Sequence, residues 1–496
     1  MPFQELNHQY VILWRDFLFS IENYCYWWNN YLILFFINSV IIALQEVCTI
    51  GIAPDFTDLI LLIGTNPLPN YVVASHFLNV NPNLERVWLI YSETNRSIGQ
   101  QGTKNVADNL TRVLTNKYQN QQEPWIHGVP IKHAGLADQI QADVGRYILQ
   151  HLPQKAKIHL NYTGGTKAMA VHAYRVLEHR LRDATFSYLD ARNHRLVQDD
   201  VQYPITEDLR QEVTISLSDL VTIHDLSESP NKKSKPGEQV MEMLSDEQQR
   251  ALFSGLISLT NFSYTETGKK KSQRNGLDLY RKWVETPPGN DPWDDAIKDK
   301  SVIPDTKTRF EREFAGNHHV AALLAMLSPS VVDPAITKDV QPLINSISNP
   351  EQWKSFINGF WLEAYVFQVI SQSLVHKPAY RDKVQMRMNL YATKTGSKPL
   401  ELDILVIYGY QICNISCSIS GTTRLKNRAF EAIHRAHQLG GDEAKSVLVT
   451  CLDDTKEFSD DLGFISGSLG SELLVLGRRD LPADRLWSKL ETHIFN

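Results

Sequence analysis

The first residues that suggest chemistry form a short turn rich in glycine and threonine. The turn lies between an apolar run and a helical pattern, and it reads Asn161-Tyr162-Thr163-Gly164-Gly165-Thr166-Lys167. Adjacent glycines let a ligand approach the backbone, the first N–H groups of a helix lack partners within it, and a lysine adds positive charge. The pattern is neither a Walker A loop nor GxGxxG. It predicts an anion-binding turn, with a tight structural connection as the alternative.

A second turn of similar character follows an earlier apolar run at residues 59–63. It begins at Gly64 and ends at Pro67, and the side chains of Thr65 and Asn66 can hydrogen-bond a base or a ribose. Turns that follow parallel strands meet at one edge of the sheet, where ligands bind in open α/β folds. The two turns together therefore predict one ligand site.

Alternating strand and helix patterns predict how the two turns are positioned. Short apolar runs read as buried strands at 59–63, 87–91, 125–129 and 157–162. Helical patterns lie between and after them, through residue 78 and at 106–118, 136–152 and 168–180. This alternation indicates an α/β fold with a Rossmann-like parallel sheet.

The C-terminal part has a different order of elements. The patterns predict a helix at 356–373, strands at 383–391, 401–408 and 411–420, a helix at 425–439 and a strand at 446–452. The polar, proline-bounded segment 227–236 is typical of an interdomain linker. These features predict four parts: an N-terminal extension at 1–56, a ligand domain at 57–228, a linker and middle region at 229–350, and a C-terminal domain at 351–496.

The two turns resemble those of the CARF domain, the sensor module of ancillary proteins of type III CRISPR immunity. The resemblance is carried by LLIGTNPLPNYV at the first turn and LNYTGGTKAMAVHA at the second. It implies a homodimer that binds one cyclic oligoadenylate, most often the tetra-adenylate, across its two-fold axis. It also implies which residues line the ligand, namely Thr65, Asn66, Thr163, Gly164, Gly165, Thr166 and Lys167.

The C-terminal part resembles the restriction-endonuclease-like PD-(D/E)xK domain of nucleases linked to CARF domains. Such nucleases use a helix carboxylate, a strand Asp and a following Glu-x-Lys to hold Mg²⁺ or Mn²⁺ and to stabilise the charged transition state. Glu363 matches the helix carboxylate, and Glu401-Leu402-Asp403 matches the strand element. Alternation along a strand places Glu401 and Asp403 on one face. The resemblance thus implies a metal site of Glu363, Glu401 and Asp403, with Glu363 and Asp403 catalytic.

The next strand departs from this pattern, because Ser416 and Ser418 stand where Glu and Lys are expected. Serine replaces neither charge, and loss of one such group costs on the order of 10²–10³ in rate. One interpretation is a pseudo-nuclease that keeps the fold and a nucleic-acid groove. A second is that Lys426 or Arg428, on the following helix, supplies the catalytic cation beside the carboxylates. A third is that the match is due to chance.

Composition and charge narrow the function classes. The 496 residues are 43% hydrophobic and 21% charged, and 50 basic against 56 acidic residues give a net charge of −6. This composition is globular and argues against a surface devoted wholly to nucleic acid, although it is compatible with a local basic cleft. Five cysteines without a CxxC pair indicate a cytoplasmic protein.

The N-terminal extension is unusually apolar. Residues 31–44 are almost entirely apolar, but the run is shorter than the roughly 20 residues that cross a bilayer. The single base Arg15, with Asp16 beside it, is unlike a signal peptide. The alternatives are a packing helix, a membrane-edge anchor and a stretch upstream of the true start, and no membrane partner is expected.

The expected function is a cyclic-oligoadenylate-responsive antiviral effector, which cuts DNA or RNA with Mg²⁺ or Mn²⁺ if its C-terminal site is active. Two alternatives stay open. A non-catalytic sensor would bind nucleic acid or a partner protein through the C-terminal domain. A ring nuclease would cleave the cyclic ligand in the CARF domain itself.

Overall fold

Two six-stranded sheets form the centre of the structure, which is a computed structural model. The described residues are 54–118, 125–199, 201, 204–228, 236–266, 272–286, 290–327, 349–394, 399–420, 422–441, 444–466 and 473–495. The predicted N-terminal extension lies outside them except for its last three residues. From Phe56 onward the chain forms a single unit.

The first sheet is largely parallel, as the sequence predicts. Its strands are β1 (Asp58–Leu62), β2 (Arg86–Ser92), β3 (Ile126–Ile131), β4 (Ile158–Asn161), β5 (Thr185–Asp190) and β6 (Arg195–Gln198). They lie in the order β3-β2-β1-β4-β5-β6, and only β6 runs antiparallel to its neighbour. The helices of this part are α1 (Leu68–Val80), α2 (Lys104–Lys117), α3 (Ala137–Val144), α4 (Lys167–Arg180) and α5 (Leu217–Ile223).

Strand alternation divides the core around this sheet into two layers. Leu59 and Leu61 of β1 pack on one side with α1 and α2, whereas Ile60 and Leu62 pack on the other side with α3 and α4. All four side chains are fully buried, and each such burial stabilises the fold by about 1.5–3 kcal/mol. Because both faces are covered, the strands can be continuously apolar.

After α5 the chain forms a short strand, β7 (Ser227–Glu228), where the linker was predicted to begin, and then a mostly helical middle region. Its elements are α6 (Glu238–Met243), α7 (Asp246–Asn261), β8 (Ser263–Glu266), β9 (Ser272–Asn275), α8 (Gly276–Glu285), α9 (Pro292–Ala296), α10 (Ile303–Phe314) and α11 (His318–Leu327). Leu256 of α7 and Tyr280 of α8 share one apolar cluster with the C-terminal residues Phe356 and Trp361. The described middle region therefore packs as part of the C-terminal half.

The second sheet has the element order predicted from the sequence. Its helices and strands are α12 (Pro350–Ser355), α13 (Trp361–Val375), α14 (Pro378–Arg381), β10 (Val384–Thr393), β11 (Leu400–Tyr408), β12 (Gln411–Ser418), α15 (Thr422–Gly440), β13 (Lys445–Thr450), α16 (Lys456–Ser466), β14 (Leu473–Leu476) and α17 (Ala483–Phe495). The sheet order is β14-β13-β12-β11-β10-β7. Strands β7, β10, β11 and β12 pair antiparallel in that order, and β12, β13 and β14 are parallel.

The two faces of the second sheet meet different partners. Ile404 and Ile415 point into the cluster that contains α13 and the middle helices. Leu405 and Ile412 point the other way, into the same apolar cluster as Leu59 of the first sheet. The two halves are therefore joined by a shared core, which sequence patterns do not reveal.

Two features of the first half differ from the sequence-based expectations. The helix expected at 136–152 is α3 followed by a π-helical turn, Gly145–Leu149. Strands β5 and β6 were not predicted, because polar residues interrupt their apolar positions. None of the described helices is both long and apolar enough to cross a membrane.

A buried carboxylate fixes the start of β1 against β2. Asp58 is fully buried, and it accepts hydrogen bonds from Arg86 Nε (2.6 Å) and Nη2 (2.8 Å) and from Trp88 Nε1 (2.8 Å). The hydrogen bonds that Arg86 donates to Asp58 raise the pKa of the Arg86 guanidinium. This network ties β1, which leads into the first predicted turn, to its neighbour β2.

Replacing Asp58 by Ala should lower the free energy of unfolding by about 3–5 kcal/mol, because it leaves the Arg86 charge without its buried partner. Glu85→Ala is the matched control, since it removes an exposed partner of the same guanidinium and should cost less than about 1 kcal/mol. Urea denaturation followed by circular dichroism measures both. Equal effects of the two variants would contradict a structural role for the buried pair.

Candidate functional site

The two turns singled out in the sequence contact each other at the carboxyl edge of the first sheet. Strands β1 and β4 pair in parallel, with Leu61 opposite Asn161. A β-carbon on Gly64 would lie 3.1 Å from the backbone nitrogen of Gly165. The structure therefore brings the two predicted turns together.

The second turn needs both of its glycines. A β-carbon on Gly164 would overlap the carbonyl oxygen of Leu62 and approach Asn70 Oδ1 to 2.9 Å. Gly165 has a φ of 74°, in the left-handed region that glycine favours. The turn thus packs closely against the end of β1. This packing by itself accounts for the Gly-Gly pair, and it is compatible with a bound ligand.

The two threonines of this turn are used mainly to shape it. The hydroxyl of Thr163 donates to Asn161 Oδ1 (2.7 Å) and accepts from the N–H of Leu189 (2.7 Å). The hydroxyl of Thr166 accepts from the N–H of Met169 (3.1 Å) and so caps α4. Both hydroxyls thus stabilise the conformation of the turn at which a ligand site was predicted.

Two of the three remaining predicted ligand residues face solvent. Thr65 and Lys167 are both exposed, one from each turn. Lys167 is the first residue of α4, where unpaired N–H groups and the helix dipole already favour an anion. A phosphate at this edge would meet a lysine ammonium, a hydroxyl and backbone N–H groups.

Asn66, the seventh predicted ligand residue, has a different environment. Its Oδ1 accepts the N–H of Leu68 (3.0 Å) at the start of α1. Its amide nitrogen lies against Gly441, which follows α15 in the C-terminal half, so closely that a β-carbon there would overlap it. Asn66 therefore faces the second sheet's helix as well as its own turn.

Other polar residues at this edge were not found from the sequence. Gln100 donates from Nε2 to the carbonyl oxygens of Glu93 (2.6 Å) and Lys132 (3.2 Å), and its Oε1 accepts the N–H of Ala134 (2.9 Å). It thereby joins the chain after β2 to the chain after β3. In the sequence, the only indication of this role of Gln100 is that a polar residue follows a predicted strand.

The imidazole below the turn belongs to the core. His159 on β4 stacks on Phe56 and lies 2.7 Å from both Thr185 Oγ1 and Ser187 Oγ. Burial lowers its pKa to about 3. The ring is therefore neutral near pH 7 and takes no part in anion binding.

A second candidate site lies in the C-terminal half, between β11, β12 and α15. It is lined by Glu401, Leu402, Asp403, Asn414, Ser416, Arg428, Glu431, Ala432 and Arg435. Asp403 is 6% exposed, and one of its oxygens accepts from Ser416 Oγ (3.1 Å) and from the N–H of Cys417 (2.9 Å). The structure thus brings the predicted residues Glu401 and Asp403 together, with Ser416 across the strand pair.

The helix carboxylate does not join them. Glu363 is buried on α13, whose apolar side chains pack on the sheet face of Ile404 and Ile415, and it does not line the pocket of Asp403. Among the described residues no three His, Cys, Asp or Glu side chains lie close enough together to hold a metal ion. The pocket is also lined by two guanidinium groups, those of Arg428 and Arg435, so its charge is mixed and not purely acidic.

The predicted catalytic cation also lies elsewhere. Lys426 Nζ is 2.8 Å from Asp461 Oδ2 of α16. Arg428 lines the pocket instead, together with Arg435, which pairs with Glu431 and donates to the carbonyl oxygen of Glu401. The positive charge of this pocket therefore comes from arginines on α15.

Comparison with known proteins identifies the N-terminal part. Residues 59–220 match the family model described as the Card1 CARF domain. This match covers both turns and confirms the CARF resemblance for this part of the chain. No curated protein matches the chain.

Solved structures extend the comparison to the fold of nearly the whole chain. Protein VC1899 from Vibrio cholerae superposes with a TM-score of 0.54 at 14% identity, over 88% of this chain and 97% of that chain. Can2 from Sulfobacillus thermosulfidooxidans, solved in complex with cyclic tetra-adenylate, gives a TM-score of 0.49 at 15% identity, over 87% and 96% of the two chains. A type III CRISPR defence DNA nuclease activated by cyclic oligoadenylate gives 0.40 at 15% identity, over 80% and 45%.

Gly164→Ala should lower the free energy of unfolding by about 1–3 kcal/mol, because the new methyl group meets backbone that cannot move aside. Gly135→Ala is the matched control, since nothing lies within 4 Å of its β-carbon position, and it should stay within about 0.5 kcal/mol. Urea denaturation measures both. A neutral Gly164→Ala would show that the turn does not pack on Leu62 as described.

Proposed function

We propose that this protein is a cyclic-oligoadenylate sensor of type III CRISPR immunity that binds one ring as a homodimer. The observation that carries the proposal is the Gly-Gly turn on the N-terminus of α4, beside the turn after β1, within the segment that matches the CARF domain. A ring of repeated phosphates has the symmetry of a pair of such edges. The bound complex of Can2 with cyclic tetra-adenylate favours the tetra-adenylate as the ring to test first.

The chemistry of the edge supports an anionic ligand. Lys167 and the first N–H groups of α4 offer positive charge and donors in one place, and a helix N-terminus carries about half a positive charge. Thr65 adds a hydroxyl from the neighbouring turn. Thr163 and Thr166 keep the turn rigid, so less entropy is lost when the ligand binds.

The ring should raise the melting temperature of the wild-type protein. A ring at 100 times its Kd stabilises by about 2.7 kcal/mol, which differential scanning fluorimetry detects with cyclic tri-, tetra- and hexa-adenylate against linear oligoadenylates. Lys167→Ala should weaken binding roughly 10- to 100-fold, because a charged hydrogen bond is lost.

Lys155→Ala is the matched control for that experiment. Lys155 is exposed in the segment before β4, at the opposite edge of the same sheet, and its removal should leave ring affinity unchanged. Absence of any shift with every ring would reject the sensor. The same samples show whether the CARF domain cleaves its ligand, since the ring would disappear from chromatograms without added metal.

A second candidate function concerns the C-terminal half. The resemblance to restriction endonucleases implies cleavage of DNA or RNA with Mg²⁺ or Mn²⁺. The pocket of Asp403 favours a domain that binds nucleic acid without cutting it, because Ser416 and the Cys417 N–H already satisfy one carboxylate oxygen and Arg428 faces the pocket. Arginines bind phosphate well without a metal.

With the ring bound and Mg²⁺ or Mn²⁺ present, the wild-type protein should therefore cleave supercoiled DNA and single-stranded RNA no faster than the Asp403→Ala variant does. Metal-dependent cleavage that Asp403→Ala abolishes would establish the nuclease instead. In gel-shift titrations Arg428→Ala should weaken nucleic-acid binding several-fold. Arg485→Ala, an exposed arginine on α17, is the control and should bind as the wild type does.

A further inference from the structure

Asn66 lies between the carboxyl edge of the first sheet, where the two turns meet, and the C-terminal half. Its side chain is half-buried, its Oδ1 is used by the N–H of Leu68, and its amide nitrogen lies against Gly441. Gly441 has a φ of 67°, so the left-handed turn and the close approach both require glycine there. Asn66 is next to Thr65, which is exposed at the edge.

Gly441 follows directly on α15, the helix that lines the pocket of Asp403. Arg428, Glu431 and Arg435 reach the pocket from this helix. Its C-terminal turn has a second anchor in the first half, because the buried imidazole of His224 lies beside the backbone of Leu439. Burial lowers the pKa of His224 to about 4, so this anchor is neutral near pH 7. Two residues of the CARF half thus hold the end of α15.

We propose that Asn66 is a coupling residue and not a ring ligand: its contact with Gly441 transmits a displacement of the turn at Thr65 to α15 and so to the pocket of Asp403. The inference rests on the proposed function, because ring binding would be the event that displaces this turn. The shared apolar core allows little independent motion of the two halves. A polar contact at the helix end is therefore a suitable route for a small shift.

Hydrogen–deuterium exchange of the full-length protein tests the contact without any ring. Asn66→Ala should speed exchange in the C-terminal turn of α15 by roughly three- to tenfold, because one anchor is lost. Asn66→Ser is neutral and keeps a hydroxyl oxygen that can cap the N–H of Leu68 while it removes the amide NH₂ group, so it should have the same effect on α15 while leaving α1 unchanged. Unchanged α15 exchange in both variants would overturn the proposal.

Addition of cyclic tetra-adenylate tests the transmission. In the wild type, ring binding should change exchange in α15, and the neutral variant Asn66→Ser should lose this change while keeping ring affinity within about threefold. Thr65→Ala should weaken ring binding yet show the wild-type change in α15 at saturation. A loss of affinity above tenfold in Asn66→Ser, with normal α15 exchange, would make Asn66 a ligand. If the wild type binds no ring, the proposed function fails, whereas the ring-free comparison still decides the contact.

Discussion

The shared apolar core between the two sheets is the constraint on which the rest of the structure depends. Leu59 of the first sheet and Leu405 of the second belong to one cluster of buried side chains. At roughly 25 cal/mol per Å² of apolar surface, separating such faces is costly. The CARF half and the C-terminal half therefore pack against each other and are not independent domains on a flexible linker. Any movement that passes between them is confined to small displacements of packed elements, which gives close contacts such as that of Asn66 with Gly441 their importance.

The Gly-Gly turn has two explanations that act together. Its close packing on Leu62 requires Gly164 for structural reasons alone. The same packing places the N-terminus of α4 and Lys167 at the sheet edge, in the position where open α/β folds bind ligands. The structural requirement for glycine thus places the backbone donors at the sheet edge. The interpretation as a tight structural turn and the interpretation as an anion-binding turn are therefore compatible.

The sequence was sufficient for the strands and turns that carry the candidate ring site, because apolar runs and glycine pairs are local signals. It could not tell which polar groups face a ligand. The hydroxyls of Thr163 and Thr166 are engaged within the turn, and no spacing rule separates this use from ligand binding. The contact of Asn66 with Gly441 and the position of Glu363 outside the pocket lining of Asp403 depend on long-range packing, which periodicity does not report.

The serines of β12 change the electrostatics of the C-terminal pocket as well as its chemistry. Two carboxylates about 4 Å apart repel by about 4 kcal/mol at an effective dielectric constant of 20, so a Glu at position 416 beside Asp403 would need a cation between them. Ser416 removes that repulsion and donates a hydrogen bond to the remaining carboxylate. The arginines of α15 then supply positive charge from the protein itself. Asp403 thereby has hydrogen-bond partners within the protein, and the pocket presents arginine side chains, a residue type that binds phosphate well.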